Sequence, residues 1–163
     1  MSFLDAAPDD PRKVRGLKFF LIATLGVGAT ASLFTQPSIA NWYAGLRHPA
    51  IDPPNWVFAP VWTALYIMMA VAAWRVWRKT GLKSVEMVAF ALQLGLNFAW
   101  SAIFFGLHQI GAALIEIMAL DLAVLAALIL FARRDLWAGL LLLPYLAWVT
   151  FASVLTHAFW RLN

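Results

Sequence analysis

Long apolar runs are the feature of this 163-residue sequence that most restricts its fold. Several stretches are long enough to cross a bilayer as a helix, because a helical span needs about 20 mostly apolar residues. The breaks between them carry prolines, glycines or paired basic residues. The predicted spans are 17–35, 59–77, 84–105, 110–132 and 137–157. The sequence therefore predicts an all-α membrane protein, built as a bundle of five transmembrane helices.

Composition agrees with this class of protein. Hydrophobic residues make up 63% of the chain and charged residues 12%, whereas soluble chains have roughly 45–50% and about 25%. A soluble domain of this size could not bury so much apolar surface. The absence of cysteine excludes disulfides and thiolate metal sites. The basic residues lie between apolar runs, so the net charge of +4 does not indicate a nucleic-acid partner.

The distribution of lysine and arginine predicts the orientation. With five spans, ten of these residues fall on the side of the N-terminus and two, Arg47 and Arg161, on the opposite side. The positive-inside rule then places the N-terminus in the cytoplasm and the C-terminus outside.

The predicted organisation is a polar tail at 1–16 and a single transmembrane domain at 17–163, with a long outer first loop at 36–58. That loop is rich in proline and tryptophan, which favours a folded cap over a flexible linker. The prolines expected to break the helices there are Pro37, Pro49, Pro53 and Pro54. A cleaved signal peptide ending near 29–31 is the alternative for the first span, but the acidic residues before it are atypical of one.

The third predicted span has two distinct faces. Gln93, Asn97, Trp100 and Phe104 share one face by helical spacing, and polar side chains in a membrane usually face the bundle interior or a cavity. The alternative is that the two amides only bond neighbouring helices. Small residues that permit close helix approach, at a dimer interface or inside the bundle, occupy the other face: Ala91, Gly95, Ala99 and Ala102.

Other aromatic residues are expected at the same depth, in the outer half of the membrane. Trp62 and Tyr66 lie in the second span, and the fifth span presents Trp148, Ala152 and Leu155 on one face, one turn after Tyr145. Tryptophans near span ends are assigned to the membrane-interface belt. The deeper aromatic residues predict a pocket beneath the first loop that suits flat hydrophobic ligands.

Two carboxylates, Glu116 and Asp121, fall within the fourth span. Intramembrane carboxylates suggest function, but these two do not share a helix face well, and a structural role is the favoured alternative. No catalytic motif and no metal-ligand spacing is present in the sequence.

Three groups of residues resemble the signatures of the TspO/MBR family, the tryptophan-rich sensory proteins and the translocator protein, or peripheral benzodiazepine receptor. The first is WYAGL at 42–46 followed by WVFAPVW at 56–62. The second is QLGLNFAW at 93–100 followed by FFG at 104–106. The third is PYLAW at 144–148, with WRLN at 160–163.

The resemblance implies a five-helix bundle, often a homodimer, in a bacterial cell membrane. It implies porphyrin (protoporphyrin IX or heme) as ligand with no obligatory cofactor, and cholesterol and synthetic drugs as ligands of animal members. The family's pocket residues fall on Trp62, Asn97, Trp100, Trp148, Ala152 and Leu155. Three positions depart from the family pattern: Ile51, Thr156 and His157, where the proposed sterol motif has tyrosine. That last departure argues against sterol recognition through this motif.

Three functions stay open from the sequence. The first is a sensor, regulator or carrier that binds tetrapyrroles and similar sterol- or drug-like molecules. The second is an enzyme-like, light-dependent degradation of bound porphyrin, which ranks lower because no acid–base or metal constellation is visible. The third is a structural protein that acts through its helix faces.

Overall fold

The computed structural model describes residues 11–163, and in that range all regular secondary structure is helical. Five helices in that range are each long and apolar enough to cross a membrane, the third of them together with a π-helical turn at Ala102–Gly106. The helices are α1 (Pro11–Ala40), α2 (Asn55–Thr80), α3 (Val85–Ser101), α4 (Ile110–Arg134) and α5 (Leu136–Leu162). The predicted five-helix bundle is therefore confirmed, and the chain is a multi-pass integral membrane protein. Most of the predicted tail 1–16 lies outside the described residues.

Helix α2 runs through the middle of the bundle. It packs against α1 and α5, while α4 packs against α3 and α5. Its inner face carries small side chains, and Ala70, Ala72 and Ala73 are completely buried. Small residues let helix backbones approach closely, which is the main source of packing between helices in lipid.

The first helix is longer than the sequence predicts. It starts at Pro11 and continues to Ala40, so the expectation that Pro37 would break it is wrong. A proline near a helix end removes only one backbone hydrogen bond, and the side-chain amide of Asn41 caps the Pro37 carbonyl at 3.1 Å. Helix α2 also starts early, at Asn55. The first loop thus shrinks from 36–58 to 41–54.

One end of the bundle, here called the basic end, contains the α2–α3 and α4–α5 connections. Asp135 accepts a hydrogen bond from the Ala138 amide and so caps α5. It also pairs with Arg75 at 3.0 Å and with Lys79 at 2.9 Å. Burial raises the pKa of Asp135, but these cations and the backbone hydrogen bond outweigh it and lower the pKa to about 2. Glu86 pairs with Arg134 at 2.6 Å and joins α3 to α4.

The opposite end, here called the loop end, carries the 41–54 segment and the α3–α4 turn. The predicted turn after Gly106 is confirmed, and His108 takes a left-handed conformation there with φ of 57°. The His108 ring stacks on Trp42 at 4.3 Å and forms a 2.8 Å hydrogen bond with the Ser38 hydroxyl. These contacts fasten the turn to the end of α1.

Candidate functional site

A cavity of about 400 Å³ lies inside the bundle near the loop end. Helices α1, α2, α3 and α5 form its wall, and Trp62, Trp100 and Trp148 project into the lining from three different helices. Of the predicted pocket residues, the cavity brings together Trp62, Tyr66, Trp100, Phe104, Trp148, Ala152 and Leu155.

The aromatic rings of the wall support one another. Trp100 stacks on Phe104 with 5.2 Å between ring centroids and 20° between planes. Trp148 meets Phe58 edge to face at 6.0 Å, and Trp62 lies 5.6 Å from Tyr66. Such pairs are worth about 0.5–1.5 kcal/mol each beyond the area they bury. The wall is therefore a packed aromatic surface with defined orientations.

The inner boundary of the cavity is a set of hydrogen bonds, here called the amide bridge. The Tyr66 hydroxyl donates to the Asn97 side-chain oxygen at 2.6 Å, and the Asn97 side-chain NH₂ donates to the Tyr145 hydroxyl at 3.2 Å. Asn97 is 2% exposed and Tyr145 is completely buried. The bridge joins α2, α3 and α5 directly below the cavity.

Three residues predicted to touch a ligand are not in the cavity lining: Gln93, Asn97 and Tyr145. Asn97 and Tyr145 lie in the amide bridge behind the Tyr66 ring. Gln93 is also buried, and neither of its side-chain polar atoms has a partner among the described residues. Direct contact of these residues with a ligand stays a prediction; their observed place is beneath the wall.

Helix α1 supplies the part of the wall that the sequence did not reveal. Its contribution is mostly small or weakly polar: Leu25, Gly28, Ala29, Ala31, Ser32, Thr35, Gln36 and Ile39. Gly28 is required for close approach, because a Cβ there would lie 2.5 Å from the Tyr66 Cε2 atom. The only available signal was the run of small residues at 28–32, which lacks chemical groups that single out a site.

The cavity is only partly enclosed between α1 and α2. Leu25 and Ala29 of α1 and Ala59 and Thr63 of α2 line the cavity and are exposed. Both helices are long and apolar enough to cross a membrane.

The 41–54 segment closes the loop end. Buried Tyr43 lines the cavity and donates a 2.8 Å hydrogen bond to Asp52, which also contacts His48. The Asn163 side chain accepts a hydrogen bond from the Arg47 amide at 2.9 Å and donates one to the Arg47 carbonyl at 3.2 Å. The segment is thus folded onto the bundle, as its composition suggested.

The carboxylates of α4 are not part of the cavity lining. Asp121 accepts hydrogen bonds from Thr150 at 3.0 Å and Ser153 at 3.4 Å, both on α5. The Glu116 oxygens are buried and have no partner in the described part of the chain. The contacts of Asp121 are those of a residue that joins two helices.

The small-residue face of α3 is partly open. Ala91 and Gly95 are exposed, Ala99 and Ala102 are half-buried, and a Cβ at Gly95 would meet nothing within 4 Å. This face is therefore not filled by a neighbouring helix of the same chain at Gly95.

These features define a five-helix integral membrane protein with an aromatic cavity under a folded loop. The TspO/MBR family pattern matches residues 19–161, and the chain belongs to this family. It is 42% identical over 144 residues to the tryptophan-rich protein TspO of Archaeoglobus fulgidus, which covers 88% of this chain and 94% of the relative. Identity to the tryptophan-rich sensory protein of Cereibacter sphaeroides is 40% over 143 residues, covering 87% and 88%. Identity to the translocator protein of Homo sapiens is 36% over 157 residues, covering 94% and 92%.

Family membership supports a role as a membrane sensor or transporter. Prokaryotic relatives, which include Protein CrtK of Rhodobacter capsulatus, agree with the expected location in a bacterial membrane.

Proposed function

We propose that the chain binds porphyrins and other flat hydrophobic molecules in this cavity and acts as a sensor, regulator or carrier for them. The observation that carries the proposal is the convergence of Trp62, Trp100 and Trp148 on one cavity of about 400 Å³. Ligand sites of this kind are mostly apolar and aromatic, with a few polar groups that orient the ligand. No residue in the described lining carries a charge, which favours a ligand whose buried part is uncharged.

The indole N–H of Trp100 is buried and has no hydrogen-bond partner among the described residues. A buried donor without a partner costs about 1–3 kcal/mol. Its nitrogen has no exposed surface towards the cavity, so a ligand acceptor can pair with it only after the Trp100 ring turns. We propose that ligand binding turns this ring and that a carbonyl oxygen at the edge of a flat ring system accepts the hydrogen bond.

The opening between α1 and α2 supports entry from the bilayer. Its rim consists of small or apolar side chains such as Leu25, Ala29 and Ala59, so a hydrophobic molecule need not cross a charged barrier. A ligand dissolved in the lipid would move sideways into the cavity, while the folded 41–54 segment covers it from the loop end.

We further propose that the protein forms a homodimer through the exposed small residues of α3. Ala91 and Gly95 leave room for a second helix at short distance, and such faces are common in membrane helix pairs.

Porphyrin titration of the purified full chain tests the proposal. Protoporphyrin IX absorbance should shift on binding in darkness, and Trp148→Ala should weaken binding at least tenfold. That factor corresponds to about 1.4 kcal/mol, the combined effect of one aromatic contact and its buried area. The matched control is Trp137→Ala on the same helix, because Trp137 is 67% exposed and outside the cavity.

Three other outcomes of this titration would change the conclusion. Equal losses in both tryptophan variants would show that tryptophan acts through stability, and the cavity assignment would fail. Bleaching of the bound porphyrin in light but not in darkness would instead favour the enzyme-like alternative. If the wild-type protein gave no absorbance shift, the third hypothesis, a structural protein that acts through its helix faces, would replace both the binding and the enzyme-like hypotheses.

A further inference from the structure

A second recess lies at the basic end, far along the membrane normal from the aromatic cavity. It is a groove of about 250 Å³ between the first turns of α1 and the last turns of α2. Its lining is Arg15, Gly16, Phe19, Phe20, Trp77 and Leu82.

The floor of this groove is apolar and tightly packed. The Trp77 ring lies directly on the α1 backbone, since a Cβ at Gly16 would fall 2.2 Å from the ring. Phe20 is 3% exposed and meets Trp77 edge to face at 5.9 Å. The rim is open, because Phe19 is 58% and Leu82 60% exposed. A hydrocarbon chain could lie over these exposed side chains without displacing any packed group.

One cation lines the groove, and two others are close to its lining residues along the chain. Arg15 lines it, Lys18 follows one helical turn later on α1, and Lys83 is next to Leu82. All three are exposed, and none forms an ion pair among the described residues. The acidic groups described at this end are already paired, Asp135 with Arg75 and Lys79, and Glu86 with Arg134. The groove mouth therefore has positive charge that the described structure does not compensate.

We propose that this groove binds an anionic phospholipid. The lipid phosphate contacts Arg15 and is also attracted by the positive charges of Lys18 and Lys83. The part of an acyl chain nearest the headgroup covers Phe19 and Leu82. The apolar floor explains why a lipid fits better than a free phosphate ion, and the uncompensated cations favour an anionic over a zwitterionic headgroup. Trp77 is typical of the headgroup level, where aromatic rings with a polar edge are enriched.

Lipid binding to the delipidated full chain in detergent micelles tests this site. Native mass spectrometry would compare phosphatidylglycerol with phosphatidylcholine of the same acyl chains. The expected result is preferential retention of phosphatidylglycerol. Arg15→Gln should weaken that retention about fivefold, the effect of one basic residue near an anionic headgroup. Leu82→Ser should weaken binding of both lipids, because it removes the exposed apolar rim.

Arg133→Gln is the matched control, because Arg133 is an exposed cation at the end of α4, outside the groove. It should leave retention unchanged, and all variants should keep the wild-type unfolding temperature. Equal retention of both lipids would overturn the proposal, as would equal losses in Arg15→Gln and Arg133→Gln, which indicate diffuse charge attraction. Displacement of the lipid by millimolar glycerol phosphate would overturn it in favour of a phosphate site.

Discussion

At the scale of single residues, the amide bridge links the predicted polar face of α3 to the cavity. Asn97→Leu keeps the side-chain volume but leaves the hydroxyls of Tyr66 and Tyr145 without their observed partner. Each buried group that loses its partner costs about 1–3 kcal/mol. We expect a clearly lower unfolding temperature, with porphyrin binding weakened less than in Trp148→Ala.

A rescue experiment separates lost hydrogen bonds from lost shape at this position. Adding Tyr66→Phe and Tyr145→Phe to Asn97→Leu removes all the unpaired groups, and such replacement of every partner can be nearly neutral. The triple variant should therefore recover most of the unfolding temperature. A still lower unfolding temperature in the triple variant than in Asn97→Leu would contradict this account of the amide bridge.

Two glycines of α1 offer a matched pair for the close approach at Tyr66. A Cβ at Gly28 would collide with the Tyr66 ring, whereas one at Gly26 would meet nothing within 4 Å. Gly28→Ala should weaken porphyrin binding several-fold, because the ring that lines the cavity must move. Gly26→Ala should leave titration curves unchanged. If the two variants behaved alike, the packing of Tyr66 on α1 would not control the cavity.

At the scale of helices, the basic end joins α2 to α5 through one carboxylate. The pKa of Asp135 is lowered from its ordinary 3.8 to about 2 by its cations and cap, against the effect of burial. Its charge therefore stabilises the fold fully above about pH 4, and the contribution is lost as the pH falls towards 2. We expect Asp135→Asn to lower stability by about 1–3 kcal/mol at neutral pH, because Arg75 and Lys79 can still reach water.

Unfolding temperatures measured in micelles between pH 6 and pH 2 would check this. The difference between wild type and Asp135→Asn should be largest at neutral pH and fall to a small remainder near pH 2, where about half of the folded molecules still carry the charge. Arg133→Gln serves as the control, since it changes charge at the same end without touching this network. A difference as large at pH 2 as at neutral pH would mean that Asp135 acts through shape or capping alone.

The lengths of the apolar runs and the breaks between them predicted the five helices well, because the thickness of the bilayer fixes the length that a span needs. Helix ends were less predictable. Pro37 lies inside α1, because a proline close to a helix end costs only the one hydrogen bond that its missing N–H would make, and residue type alone does not show that the helix continues past it. Similarly, spacing placed Trp100 and Phe104 on one face correctly. Helical spacing could not show that α1 forms part of the cavity wall. Small residues such as Gly28 carry no distinctive chemical group, and their role depends on which side chains pack against them.

At the scale of the whole molecule, orientation rests on the ten-to-two division of lysine and arginine between the two sides. We predict a cytoplasmic N-terminus and an external C-terminus. A reporter fused after Asn163 should be active outside the cell and inactive within it. Activity of that fusion in the cytoplasm would refute the orientation.

The proposed homodimer can be tested at the open small-residue face of α3. Gly95→Leu should weaken self-association in crosslinking or in single-molecule photobleaching, because the added side chain prevents close helix approach. Gly26→Leu is the control, as it adds the same side chain at another glycine with free space around it. Porphyrin binding should survive in both variants. An unchanged dimer in Gly95→Leu would exclude this face as the interface.

The opening between α1 and α2 makes the surrounding lipid a reservoir for the proposed ligand. A molecule that enters sideways meets the protein at a rate set by its concentration in the membrane. Diluting the ligand with additional lipid should then slow association in proportion to the amount of ligand per lipid, whereas a larger aqueous volume should not, once the ligand has entered the membrane. The rate at which the protein responds would thus follow the number of such molecules per unit area of bilayer, a two-dimensional quantity.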